Sequence, residues 1–221
     1  MEQKYYKLSE YLLAHAENVA NKRSAEHTRL VILATTARLL GKLDYHEIRV
    51  PDLCRSCEIS RATFYLHFPT RDDLFVDLMR YLTELESSLT PSLETCADVS
   101  EGIARVVDWY IEVHLANTSL FLNLTFMRRT NLAINELWLT RARVLHRAVI
   151  DQLRRFPAFR ALDGKAADFV LEFMGGGINN ILSRVNTALP RNPYIPDDLS
   201  EIKAFISRIF YRSLFARDPE N

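Results

Sequence analysis

The chain has 221 residues, with 28 Lys and Arg against 28 Asp and Glu, so its formal net charge is zero. That balance excludes a globally basic coat for nucleic acid and confines any such site to one region. With 48% apolar and 25% charged residues, the composition supports a compact body, or a small domain joined to a larger one, and excludes disorder.

Charged or amide residues interrupt every apolar stretch before the ~18 residues a membrane span needs, so no membrane partner is expected. The N-terminus has no basic segment, long apolar run and cleavage site in succession, so it does not read as a secretory signal. Three cysteines, an odd number without a disulfide-rich pattern, fit a reducing cytoplasm. Only 6 Gly and 8 Pro punctuate the chain and alternating β-branched runs are scarce, which points to an all-α fold.

In chain order, Tyr5, Leu8, Leu12, Leu13, Ala16 and Val19 recur at helical spacing and predict an amphipathic leading helix. A second helix is expected from Ala25 to Leu40, with Leu30, Leu33, Ala34, Ala37 and Leu40 on one face and a stop at Gly41. Two short helices follow, Val50 to Cys57 and Arg61 to His67, the second with Ser60 as N-cap. Pro69 breaks the pattern, and Thr70 to Asp73 puts a hydroxyl cap and first-turn acids before a helix reaching Ser88. Beyond a connector from Pro91 to Val99, helices are expected over Glu101 to Ala116, Ser119 to Arg129, Leu132 to Phe156, Lys165 to Leu189 and Leu199 to Phe215. Breaks at Asn117-Thr118, Pro157, Asp163-Gly164 and Pro190 to Pro196 separate them.

This organisation divides the chain into an N-terminal extension (1–23), a short-helix domain (24–80) and a larger helical domain (81–221). Residues 22–80 hold 10 bases and 8 acids, the only positive region, against 2 and 3 before it and 16 and 17 after it.

Two short helices joined by a tight turn are too small for an enzyme's active site but suit the DNA major groove, which admits one helix. Ile59, Phe64 and Phe68 can anchor the second helix inward, leaving Arg61, Ala62, Thr63, Tyr65 and His67 available outside. Arginine pairs bidentately with guanine, threonine bonds a base or touches a thymine methyl, and alanine permits close approach. Tyr65 and His67 can donate to phosphate oxygens, and Arg71 stands in the first turn of the following helix.

The stretches Ile32-Leu-Ala-Thr-Thr-Ala-Arg-Leu-Leu40, Tyr45, Val50-Pro-Asp-Leu-Cys54 and Ile59-Ser-Arg-Ala-Thr-Phe-Tyr-Leu-His-Phe-Pro-Thr-Arg71-Asp-Asp-Leu74 resemble the TetR family of bacterial transcriptional regulators. The resemblance covers Leu30 to Leu78, about a quarter of the chain, and its specific part is the last stretch. It implies a homodimeric repressor that binds a palindromic double-stranded DNA operator, with a C-terminal all-helical domain for a small-molecule effector and dimerisation. Arg49, Ser60, Arg61, Ala62, Thr63, Tyr65, His67 and Arg71 are then the expected DNA contacts. Glu58 stands where the family often has Gly, implying a different backbone or strain at the turn. Arg49 and Pro51 replace a usual Thr cap and a polar residue, which turns a cap contact into an Arg–phosphate contact.

The resemblance also places Trp109, His114, Phe121, Phe126, Trp138 and Met174 on the helices lining the effector cavity, with plain aromatic core as the alternative. Asp108, Glu112, Glu136 and Glu172 would meet a cationic ligand if they pointed inward, and otherwise form a solvated face. Gly175-Gly176-Gly177 inside a helix costs about 1 kcal/mol per residue relative to Ala, so it marks either a tight dimer seam or a local kink or helix break. Phe169, Phe173, Gly176, Ile181, Phe205 and Ile209 are the expected dimer residues, on two helices that together make a four-helix bundle.

Cys54-Arg-Ser-Cys57 reads as packed core, with a redox couple or half a zinc site as alternatives. No second Cys/His pair completes a zinc site, and no metal or other cofactor is expected. No Gly-x-Ser-x-Gly elbow or phosphate-cradling loop is present, which argues against an enzyme. A ligand-insensitive DNA-binding factor, controlled by a partner or by thiol oxidation, is the alternative function, with an all-helical enzyme behind it. The extension either lends Lys22 and Arg23 to the DNA backbone or minor groove, or its apolar stripe simply caps the domain.

Overall fold

The structure, a computed structural model, describes residues 6–185 and 193–216, and the regular elements among them are helices. In order they are α1 (Leu8–Asn18), α2 (Ala25–Leu40), α3 (Val50–Ser56), α4 (Arg61–His67), α5 (Arg71–Leu89), α6 (Val99–Ala116), α7 (Thr118–Met127), α8 (Leu132–Leu153), α9 (Pro157–Arg160), α10 (Gly164–Val185) and α11 (Leu199–Phe215). The expected helices are present with ends shifted by a few residues. Pro157, expected only as a break, instead opens the one-turn α9, because proline tolerates a helix's first turn. Tyr5, the stretch 186–189 and residues 190–192 of the Pro190 to Pro196 break lie outside the described residues.

Caps set the ends where the sequence places hydroxyls. Ser24 Oγ accepts the His27 N–H at 3.1 Å, and Ser60 Oγ accepts the Thr63 N–H at 3.0 Å. At the start of α5, Asp73 N–H donates to Thr70 Oγ1 at 3.2 Å while Asp73 Oδ2 accepts from Thr70 N–H at 2.9 Å, a reciprocal capping box. Gly41 ends α2 with a right-handed φ of −69°, so its position does not require glycine's freedom.

The helices assemble into two compact units that alternate along the chain. Met1–Ser88 joins Ala116–Arg141, and Leu89–Leu115 joins Ala142–Asn221. The boundary read from sequence at residue 80 falls inside α5, and Ala116–Arg141 groups with the N-terminal helices. Asparagines tie that segment in. Asn117 Oδ1 accepts the Leu8 N–H at 2.9 Å and its Nδ2 donates to the Tyr6 carbonyl at 2.7 Å, capping α1 from 109 positions away. Asn123 Oδ1 accepts the Tyr45 N–H at 2.6 Å, and Asn131 Nδ2 donates to Asp72 at 3.1 Å.

The core of the first unit is aromatic and aliphatic, with Phe64, Phe68, Leu74, Phe75 and Leu78 fully buried beside Leu33 and Leu53. At the other end of α1, the Lys22 ammonium donates to the Ala16 carbonyl at 2.9 Å and also to that of Glu17. Lys22 therefore closes α1, and the reading in which it reaches for DNA loses its free ammonium.

In the second unit, Gly102 on α6 is a close approach: a Cβ there would lie 2.9 Å from the Phe156 ring. The glycine triplet is different. Helix α10 runs unbroken through it, so there is no helix break, and a Cβ at Gly176 or Gly177 meets nothing within 4 Å. Packing within one chain therefore gives these two glycines no reason.

Candidate nucleic-acid interface

Helix α3 buries Leu53 and Cys54 and ends in a tight turn to α4. The Ile59 N–H donates to the Cys54 carbonyl at 3.0 Å and the Glu58 N–H to that of Arg55 at 3.3 Å, the pair of bonds that defines a Schellman ending. Its left-handed residue is Glu58, with φ 55°. Of the two outcomes the sequence left open, the turn keeps its backbone and carries the strain. Glu58→Gly is expected to stabilise the chain: the left-handed conformation costs a side chain about 1–2 kcal/mol, and glycine's extra unfolded freedom returns about 0.4–1 kcal/mol. The net gain of about 1 kcal/mol should raise the melting temperature by roughly 2–4 °C, read by thermal denaturation.

Phe64 and Phe68 anchor α4 inward, one turn apart. Opposite them Arg61 and Ala62 are exposed, Tyr65 is 50% exposed, and Thr63 and His67 are partly exposed. Ser60 Oγ and Thr63 Oγ1 lie 2.8 Å apart and share a hydrogen bond at the surface. Arg49 caps α3 without a side-chain bond and stands exposed, as expected of a residue available to a phosphate. Burial, and then the nearby Arg29 guanidinium, hold the His67 imidazole below the ordinary histidine value. At neutral pH it is an uncharged donor.

Arg71 differs from the expectation. Its Nη1 donates to the Ile48 carbonyl at 3.1 Å and to that of Tyr45 at 3.5 Å, and its guanidinium lies 4.1 Å from the Tyr45 ring centroid. The side chain is held inward by the loop between α2 and α3, so it positions that loop rather than reaching outward. Tyr45 in turn donates from its hydroxyl to Asp72 at 2.7 Å.

Sequence reasoning missed Arg29. Its Nη1 donates to the His67 carbonyl at 2.6 Å, its Nη2 pairs with the buried carboxylate of Asp77, and its guanidinium covers the Phe68 ring at 4.5 Å. One side chain thus joins α2, the last residue of α4 and α5. The available signal was a cation four residues before Leu33, within the apolar stripe of α2. Leu66 was missed too. It is 85% exposed on the outward side of α4.

Burial pushes both the Cys54 and Cys57 thiols above the ordinary cysteine value, with Arg61 and Thr35 opposing only in part. Few thiolates form, which favours the packed-core reading over redox control. Among the described residues no cluster of three or more His, Cys, Asp or Glu is placed to hold a metal ion.

The other predicted residues fall as follows. In the first unit Phe121 and Trp138 meet edge to face at 6.4 Å, with Arg141 5.0 Å from each ring, and Phe126 is half exposed against the His46 ring. In the second unit Trp109, His114 and Met174 are buried, and the Trp109 indole N–H finds no acceptor among the described residues. Asp108 and Glu112 pair with Lys203 at 3.3 and 3.4 Å, Glu172 lies 3.8 Å from His146, and Glu136 is exposed. All four carboxylates are on solvated faces. Phe169, Phe173, Gly176, Phe205 and Ile209 are exposed and Ile181 is half-buried.

An all-helical chain with an N-terminal helix-turn-helix is the class these observations define. Residues 32–78 match the model of the family of bacterial regulatory proteins, tetR family. The transcriptional regulator EthR of Mycobacterium tuberculosis is 29% identical over 120 residues, covering 53% of this chain and 56% of that protein. EthR of Mycolicibacterium smegmatis is 33% identical over 87 residues, 38% of this chain and 40% of that protein. The match to the first of these spans about half the length of the curated relative. Among solved structures, Salmonella enterica GusR superposes with a TM-score of 0.68 at 15% identity, covering 88% of this chain and 99% of that one. A chain from Saccharomonospora viridis in complex with choline gives 0.65 at 19% identity, covering 86% and 98%. Both share the fold.

Proposed function

We propose that the chain is a sequence-specific regulator of transcription, a homodimeric repressor that binds a palindromic double-stranded DNA operator in the cytoplasm and is released by a small-molecule effector. The observation that carries this reading is α4, anchored by Phe64 and Phe68, with Arg61, Ala62 and Tyr65 facing outward and Arg49 exposed at the start of α3. Arg61 reads a guanine edge, Ala62 lets the backbone approach, and Thr63, Tyr65 and His67 donate to bases or phosphates. Ser60 holds the first turn of α4 in shape, and Arg71 supports the loop behind it.

Two observations support the finer parts. A face of α10 and α11 exposes Phe169 (72%), Phe173 (67%), Phe205 and Ile209 around Gly176, an apolar surface of the kind a second copy covers. The Trp109 indole N–H, buried and without an acceptor among the described residues, is a polar group that an effector bound in the second unit would satisfy. The effector then acts by population shift, favouring a dimer geometry whose two α4 helices no longer match successive major grooves, with α5 transmitting the movement.

Selection of bound sequences from random duplex DNA tests the reading. The expected result is a palindrome with half-sites about one helical turn apart. Arg61→Ala should weaken binding by about 1–3 kcal/mol per half-site in a fluorescence titration, with its fold unchanged because the residue is exposed. No enriched sequence, or an Arg61→Ala titration that superimposes on the wild type, would overturn it.

A further inference from the structure

Helix α4 carries an apolar ridge along the centre of its outward face. At about 100° per residue, Ala62 and Leu66 lie one turn apart and roughly opposite the anchoring Phe64 and Phe68. Ala62 is exposed and Leu66 is 85% exposed. Hydrogen-bonding side chains flank the ridge, Arg61 and Tyr65 on one side, Thr63 and His67 on the other. A lone exposed leucine on a protein surface needs no explanation. Here the leucine stands at the crest of the surface that meets DNA, in register with the small Ala62.

Resting on the DNA-binding reading above, we propose that Leu66 is a specificity-determining residue that reads the 5-methyl group of thymine in the major groove, with Ala62 packing a second one. The major groove edge offers donors and acceptors for every base pair, and its one apolar substituent is the thymine methyl. A leucine satisfies no donor or acceptor and gains nothing from a phosphate. Against a methyl it removes apolar surface of both partners from water. The spacing is informative as well. Four residues of helix advance about 6 Å, close to two base-pair steps of about 3.4 Å, so the two methyls should stand about two steps apart in each half-site.

The test uses the full chain and the half-site obtained from random duplex DNA. Each thymine is replaced in turn by deoxyuridine, which removes the methyl and keeps every donor and acceptor. The expected result is that one replacement weakens wild-type binding about fourfold per half-site and leaves Leu66→Ala and Leu66→Gln binding unchanged, with a second, milder position about two steps away. Both substitutions are at an exposed position, so neither is expected to disturb the core. If every deoxyuridine is neutral for the wild type, or the same one weakens wild type and variants equally, Leu66 does not read a methyl and the proposal is overturned while DNA binding stands. If selection enriches no sequence, the DNA-binding reading itself fails, and this inference fails with it.

Discussion

Arg141→Met is expected to lower stability by about 3–5 kcal/mol, the largest loss of any single substitution considered. Arg141 and Glu86 form a two-pronged pair with both side chains buried, 3% and 2% exposed, and the guanidinium also lies over Phe121 and Trp138. Removing the cation leaves the Glu86 carboxylate in a buried site without its charge partner. Removing both charges does not, so Glu86→Leu with Arg141→Met should recover most of the loss. The comparison, read by urea denaturation, separates a charge requirement from a packing one. A single variant as stable as the wild type would show that the pair is not closed in solution.

The same variant has a signed pH dependence. Burial holds the Glu86 carboxyl above its ordinary value, and Arg141 opposes that. Without Arg141 the folded carboxyl rises further, so the native state binds a proton that the unfolded chain releases. The deficit of Arg141→Met should therefore shrink as pH falls from 8 towards 5 and be largest at alkaline pH. A deficit constant across that range would contradict the stranded carboxylate.

Phe173→Asp is expected to have the largest effect on function. Phe173 is 67% exposed on α10, beside Phe169 and Gly176, so the chain's own core loses little. If this face joins two copies, a carboxylate at its centre must be desolvated without a partner and dimerisation is lost. The variant should sediment as a monomer. Operator binding should fall by about 10²-fold or more, because each half-site then binds without the effective concentration its partner supplied. A dimer that survives Phe173→Asp would move the interface elsewhere.

Much of the candidate nucleic-acid interface was legible in the sequence because its signals are local. Helix α4 follows from Ser60, from anchors four residues apart and from Pro69, and its outward residues follow from the anchors by the 3.6-residue period. Glu58 was legible as a departure from glycine, and its φ of 55° shows where the departure is absorbed. Leu66 was passed over because an apolar residue on a short helix reads as core until its exposure is known. The glycines of α10 gave a true anomaly with two readings; the unbroken helix excludes a break there, and a Cβ at Gly176 or Gly177 would meet nothing within 4 Å.

Sequence alone determined the helical class, most helix ends and the resemblance of residues 32–78 to the tetR family, since periodicity, caps and a contiguous motif are properties of neighbouring residues. Tertiary structure decided how the charged and amide side chains are spent. Arg71 turns inward because two carbonyls 23 and 26 positions away accept its protons. Arg29 clamps partners 38 and 48 positions away, and Asn123 fixes Tyr45 across 78 positions, which brings Ala116–Arg141 to the N-terminal helices. Such bonds have no period and no motif. They exist only once distant segments have met, because a polar group buried by folding must find its partner wherever the chain has placed one.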